Sequence, residues 1–451
     1  MTSISQAARV HVDHILDNLK MSDDGASGSS YVPETGQSVH VIAVPDRASR
    51  HNHPMHPNAL TNRLRATNSS EKRAILMVLE RGEDDLVCTN AVARSLPAFS
   101  RKTGVSDRQE TVRLGFLGAD VAKERLEVLQ IAGEEIRYAA RLVDMPTAEL
   151  HTESFTELAR QSATMLGADV SVLEGEALAH AGLGGLWGVG RAATRLPALV
   201  ILEHTPTQPR AETRTVALVG KGIVYDTGGL SIKSKTGMPG MKADMGGAAA
   251  VLAAFRALVR RNAHHRVVAL LCLAENAVGP EATRPDDILT MYSGRTVEVN
   301  NTDAEGRLVV ADGVAYAQRH FKPDFIIDIA TLTGAQLVAT GARHGALVTN
   351  EHDLELLATE IGRSCGDLVH PLPYCPEFFR SEFKSVVADM KNSVKNRMNG
   401  QSSCAAQFIK EHLVDYDGGW LHLDIAGPST DQDRGTGFGT TLLTELTLAL
   451  E

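Results

Sequence analysis

Cysteine is scarce in this chain. Cys88, Cys272, Cys365, Cys375 and Cys404 are the five in 451 residues, widely spaced, odd in number and never in a CxxC arrangement. That scarcity excludes a disulfide framework and a thiolate zinc site, and it fits a reducing compartment. Long apolar runs are missing as well. The longest, such as VVALLCLA at 267–274, fall far short of a bilayer span. The first nineteen residues, MTSISQAARVHVDHILDNL, hold one Arg and no apolar core, so neither a secretory signal nor a transit peptide is expected. A cytoplasmic location follows as the expectation. Positive charge is also short: 45 Lys and Arg against 55 Asp and Glu leave a formal net charge of −10. This disfavours a sequence-independent grip on nucleic acid or anionic lipid as the main role. Several catalytic frames are absent. GKG at 220–222 lacks the GxxxxGK[ST] frame of a phosphate loop, and there is no GxGxxG after the strand, no HExxH and no GxSxG.

What is present reads as an ordinary globular composition, 43% hydrophobic and 22% charged, in a chain long enough for two or three domains. Residues 22–38, rich in Gly, Ser and charge, read as a loop closing an N-terminal extension over 1–38. SVHVIAVP (38–45) reads as a buried strand and VRLGFLG (112–118) alternates like a strand, which gives a small α/β domain over 39–120. Leu126, Leu129, Ile136, Ala140 and Val143 fall on one helical face, so a connector helix is expected over 121–147, stopped by Pro146. From 148 to 451 short apolar runs alternate with helical patterns. ADVSVLE, PALVILE, TVALVG, RVVALLCLAE, FIIDIA and WLHLDIAG are the candidate strands, and Ala248, Val251, Leu252, Phe255, Leu258 and Val259 form a helical stripe. The alternation predicts an α/β domain with a largely parallel or mixed sheet flanked by helices. In such sheets ligands gather at the carboxyl ends of the strands.

After TVALV come Lys221, Asp226, Lys233 and Asp244, set among many glycines. NTDAEGRL (301–308) then adds Asp303, Glu305 and Arg307. In extended backbone the i, i+2 spacing of Asp303 and Glu305 would aim both to one side. Any one of these residues alone is a turn or cap residue. As a cluster between apolar runs they are expected to be buried, and buried charges must be paired or bound to metal. Two readings stand at this point: an all-protein network in which three cations neutralise most of four carboxylates, or a site for hard or borderline divalent ions. The histidines of HNHPMHP (51–57) read as a solvated loop.

At these residues the sequence resembles the leucyl (cytosol) aminopeptidase family of two-metal exopeptidases. NTDAEGRL matches that family's signature octapeptide, KGIVYDTGGLSIK with MKADMGGAAAV matches its other metal-binding segment, and DIATLTGA (328–335) and HLDIAGP (422–428) extend the likeness over roughly 145–430. The IVYDTGG wording is similar to a less-studied aminopeptidase-like branch. The resemblance implies two divalent ions per subunit, Zn²⁺ or Mn²⁺ with Mg²⁺ or Co²⁺ as further candidates. Lys221, Asp226, Asp244, Asp303 and Glu305 would be their ligands, with Asp226 and Glu305 shared between the two. It implies Lys233 as a protonated oxyanion stabiliser, Arg307 as the holder of a bicarbonate, and Met241, Thr331, Leu332, Gly334 and Ala426 around the substrate. Ser429 departs from the family, which carries a methionine there, and this argues against strict leucine preference. Peptides with a free N-terminus as substrates and a homohexameric assembly also follow from the resemblance. The reading set against it is a non-catalytic scaffold of the same shape that binds nucleic acid or protein. The filled ligand positions and the negative charge weigh against that reading.

Overall fold

A computed structural model describes residues 6–67, 73–103, 112–118, 121–207 and 209–450. The first five residues of the expected extension and residues 119–120 lie outside that set, as does the final Glu451. The chain divides into two compact units, residues 1–133 with 363–366, and residues 134–362 with 367–451. The division falls inside a single helix, Lys123–Asp144. On that helix Leu129, Ile136, Ala140 and Val143 are buried, but Leu126 is exposed.

In the first unit, helix Gln6–Asn18 precedes an antiparallel hairpin of Ala26–Val32 with Gln37–Ala43. Part of the stretch read as a loop, Ala26–Val32, is therefore a strand. Its glycines and serines do not prevent ladder bonding, and Gly28 is needed, because a Cβ there would lie 2.5 Å from Ile15 Cγ2 of the helix. The strand read as buried, Gln37–Ala43, is only half-buried, since it has one strand partner and no sheet packed on both faces. Arg73–Val78 pairs in parallel with Val112–Leu117, and Leu60, Leu64, Val87, Cys88, Ala91 and Val92 build the core beneath. The HNHPMHP loop is solvated only in part, with His51 and Pro54 exposed. His53 and His56 are buried: His53 Nε2 lies 3.6 Å from Asp84 Oδ1, and His56 Nε2 contacts the Arg47 carbonyl at 3.0 Å. Each ring finds a polar partner inside, which makes burial tolerable.

The second unit is built on an eight-stranded mixed sheet. Its order is Val369–Pro371, Gly345–Thr349, Gly419–Asp424, Phe325–Ala330, Thr215–Asp226, Arg266–Asn276, Ala198–His204 and Asp169–Glu174. The middle four strands run parallel, and so does the outer pair that begins the list. Gly345–Thr349 against Gly419–Asp424, and the last two pairings, are antiparallel. Thr215–Asp226 and Arg266–Asn276 are buried almost throughout, because helices cover both faces. Gly246–Arg260 packs on one face and Gly306–Phe321 on the other: a Cβ at Gly220 would meet Ala248 Cα at 2.6 Å, whereas one at Gly313 would meet Cys272 Sγ at 2.5 Å. Gly246–Arg260 is more than an amphipathic stripe. It is buried nearly all round, with Ala249, Ala250, Ala253 and Ala254 enclosed and Val259 only half-buried. Each Leu, Val or Phe fully enclosed in these layers contributes about 1.5–3 kcal/mol of hydrophobic stabilisation.

Candidate metal centre and active site

The parallel strands end in one cavity of about 800 Å³, contained within the second unit. Lys221, Asp226, Lys233, Met241, Asp244, Asp303, Glu305, Arg307, Thr331, Leu332, Gly334 and Ala426 all line it, and so does Ser429. Different local devices bring them there. Lys221 sits inside the strand Thr215–Asp226, not after it. It is in phase with Val219 and so emerges on the face covered by Gly306–Phe321. A register irregularity between Ile223 and Tyr225 follows, and Asp226 ends the strand. Asp244 ends a short 3₁₀ turn, Met241–Ala243, that leads into the helix Gly246–Arg260. Asp303 and Glu305 do not lie in extended backbone. Asp303 N donates to Asn301 Oδ1 at 3.0 Å in a turn, and Glu305 is the N-cap of Gly306–Phe321 in helical conformation. Both still reach the cavity, because a turn followed by a helix start also presents positions i and i+2 at one place.

Asp226, Asp244 and Glu305 each offer an oxygen such that the three atoms lie within 4.8 Å of one another; among the described residues this is the one such group of metal-ligating side chains. All three are buried. Lys221 Nζ contacts Asp244 Oδ2 and Glu305 Oε1, each at 2.8 Å, and donates to the Thr331 carbonyl at 2.9 Å. Lys233 Nζ spans Asp226 Oδ2 at 2.7 Å and Asp303 Oδ1 at 2.6 Å. Burial pulls the Lys221 ammonium down, but the charges of Asp244, Glu305 and Asp226 outweigh it and hold the group above an ordinary lysine. Lys233 is raised likewise, burial being outweighed by Asp226 and Asp303. Only the uncharged amine has a lone pair to donate, so Lys221 would serve as a ligand after a stronger positive charge close by drives off its proton.

The ion-pair network posed as one reading is present, yet it leaves the site too negative. Burial first, then mutual repulsion, raises the carboxyl groups of Asp244 and Glu305, and burial also raises Asp303. The third cation does not help. Arg307 makes no ion pair with these carboxylates among the described residues; its Nη1 donates to the Asn392 carbonyl at 3.0 Å and its buried Nε has no partner. Burial pulls this guanidinium down to about 10. A compact set of oxygen donors with surplus negative charge fits hard or borderline divalent cations, and an unsatisfied buried guanidinium N–H fits a small anion.

Four further residues shape the site. Asn276 Nδ2 donates to Asp226 Oδ1 at 2.8 Å, and Thr302 Oγ1 to the Gly228 carbonyl at 2.6 Å. Asn392 Oδ1 accepts from Asn300 N at 2.9 Å, while its Nδ2 donates to the Asn301 carbonyl at 2.7 Å. Asp424 accepts from Leu332 N at 3.0 Å and Thr333 Oγ1 at 2.6 Å. The Leu332 N–H and the Thr331 carbonyl are therefore engaged by protein. Asn276 directly follows the predicted strand RVVALLCLAE, so the strand-end rule pointed at it, whereas Asp424 ends the observed strand Gly419–Asp424 but falls inside the predicted WLHLDIAG. Asn392 stands in KNS with no periodic frame, and nothing in the sequence singles it out.

Comparison with known proteins gives one answer. Residues 137–444 match the catalytic domain of the cytosol aminopeptidase family, and residues 8–105 match the M17 aminopeptidase N-terminal domain 2. The probable aminopeptidase NPEPL1 of Mus musculus is 52% identical over 415 residues, covering 90% of this chain and 78% of that protein. The apo structure of leucyl aminopeptidase from Trypanosoma cruzi superposes with a TM-score of 0.92 at 41% identity, covering 98% of this chain and 88% of that one. The Trypanosoma brucei leucyl aminopeptidase in complex with bestatin gives 0.91 at 39% identity, over 97% and 86% of the two chains. The chain belongs to the cytosol aminopeptidase family and is a metal-dependent aminopeptidase.

Proposed function

We propose that this aminopeptidase releases the first residue of peptides at a two-cation centre held by Lys221, Asp226, Asp244, Asp303 and Glu305. The observation that carries the reading is the trio of buried carboxylate oxygens of Asp226, Asp244 and Glu305 within 4.8 Å of one another. Asp226 and Glu305 would be shared between two divalent ions, Asp303 would complete one set, and Lys221 with Asp244 the other. Zn²⁺ or Mn²⁺, with Mg²⁺ or Co²⁺ as alternatives, would supply Lewis acidity and an acidified water for attack on the scissile carbonyl.

The chain's own groups do the rest. Lys233, beside Asp226 and Asp303, would donate as an ammonium to the oxygen on which negative charge develops. Arg307, with its unpartnered Nε, would hold a bicarbonate, which would supply a proton acceptor and donor. Met241, Thr331, Gly334 and Ala426 wall the side-chain pocket, where Ser429 leaves more room and polarity than a methionine would. Backbone groups of Thr331 and Leu332 would orient the peptide. A homohexamer in the cytoplasm completes the reading.

The test is hydrolysis of a panel of fluorogenic aminoacyl substrates, before and after chelation and with each metal restored. Chelation should abolish activity and metal should restore it. Metal-independent cleavage would overturn the reading.

A further inference from the structure

We propose that Asn276, together with Thr302, is a positioning residue that aims Asp226 at the cation site and thereby sets metal affinity. The proposal rests on the reading of Asp226 as a ligand. Asn276 ends the strand Arg266–Asn276 and is buried. Its Nδ2 joins the two segments that carry the carboxylates, donating to Asp226 Oδ1 at 2.8 Å and to the Thr302 carbonyl at 3.1 Å. Its own carbonyl accepts from Thr227 N at 3.1 Å and Thr227 Oγ1 at 2.6 Å. Thr302 closes the clamp from the other side. Its Oγ1 donates to the Gly228 carbonyl at 2.6 Å and accepts from Ser231 N at 2.7 Å, and its N donates to Ser231 Oγ at 3.1 Å. The packing is tight at the centre: a Cβ on Gly229, whose φ is +61°, would lie 2.9 Å from Asn276 Oδ1 and 3.0 Å from Thr302 Oγ1.

The consequence falls on one carboxylate. Asp226 Oδ1 accepts from Gly228 N at 2.8 Å as well as from Asn276, so two donors stop its rotation. Oδ2 is left on the Lys233 side, where both residues line the cavity. Both donors to Oδ1 are neutral amides. They orient the carboxylate without cancelling its charge, which a lysine or arginine in the same place would do. Hydrogen bonds to a ligating carboxylate are the general means by which an outer residue tunes a metal.

The test is Mn²⁺ titration of chelator-stripped protein, following free Mn²⁺ by electron paramagnetic resonance, with the melting temperature of each metal-free variant measured alongside. Asn276→Ala should weaken Mn²⁺ binding about 10- to 100-fold, the usual cost of losing such a partner. Thr302→Val should weaken it in the same direction, and Thr302→Ser, which keeps the hydroxyl, should restore it. Should Asn276→Ala not fold, the Thr302 pair decides. Folded variants that bind Mn²⁺ as tightly as wild type, with or without a lower melting temperature, would overturn the proposal and leave the two-cation reading standing. Wild-type protein that takes up no Mn²⁺ would overturn both.

Discussion

Gly306→Ala separates the chemistry of the site from the stability of the fold. Gly306 opens the helix Gly306–Phe321, directly against Lys221. A Cβ there would lie 2.5 Å from Lys221 Cε and 2.6 Å from Nζ, where ordinary contact begins at 3.4 Å. The lysine end is the part able to yield, so Nζ must move by nearly 1 Å. Its 2.8 Å contacts to Asp244 and Glu305 cannot survive that shift. A displacement of about 1 Å in a catalytic constellation costs on the order of 100-fold in rate. Stability should change far less. Overpacking costs about 1–3 kcal/mol, and the gain of Ala over Gly in a helix offsets up to about 1 kcal/mol of it. For a domain of this size that lowers the melting temperature by a few degrees. The assay is kcat/KM on the aminoacyl panel, with the melting temperature measured in parallel. Full activity in a folded Gly306→Ala protein would refute the idea that the placement of Lys221 matters.

Other predictions address separate parts of the account. Asp226→Ala and Glu305→Ala should each lower activity by more than about 100-fold, beyond the cost of losing an outer partner, and should bind less metal in elemental analysis. Arg307→Ala should keep its metal while kcat drops at least about tenfold and ceases to respond to added bicarbonate; an unchanged bicarbonate response would count against the anion site. His412 supplies a pH dependence. It is buried against Phe408, its Nδ1 contacts Ser293 Oγ at 2.7 Å, and burial, with Arg295 nearby, pushes its imidazole down from 6.5 to about 3. Between those values the unfolded chain binds the extra proton, so stability falls as pH falls, by up to about 1.4 kcal/mol per pH unit. His412→Phe should flatten the fall in melting temperature between pH 6.5 and 4.5, and equal slopes in the two proteins would refute the assignment.

The sequence made the catalytic half legible because its signals are physical and local. Apolar runs such as TVALVG and RVVALLCLAE are buried on both faces, and Lys221 and Asp226, which follow the first of them, line the cavity. What it hid depends on partners distant in the chain. The Ser- and Gly-rich segment Ala26–Val32 reads as loop until Gln37–Ala43 pairs with it. His53 and His56 read as solvated because Asp84 and the Arg47 carbonyl, which satisfy them, belong to no motif. Asn392 braces the Asn300–Ala304 turn from about ninety residues away, and a motif cannot announce its own brace.

The central claim is that Asp226, Asp244, Asp303 and Glu305 enclose cations and not merely lysine ammonium groups. Anomalous diffraction from crystals soaked in Mn²⁺ tests this most directly. The account predicts two peaks per chain among these carboxylates, with Lys233 released from Asp226 and Asp303. Clean maps with no peak there, and both lysines still closing their ion pairs, would contradict it.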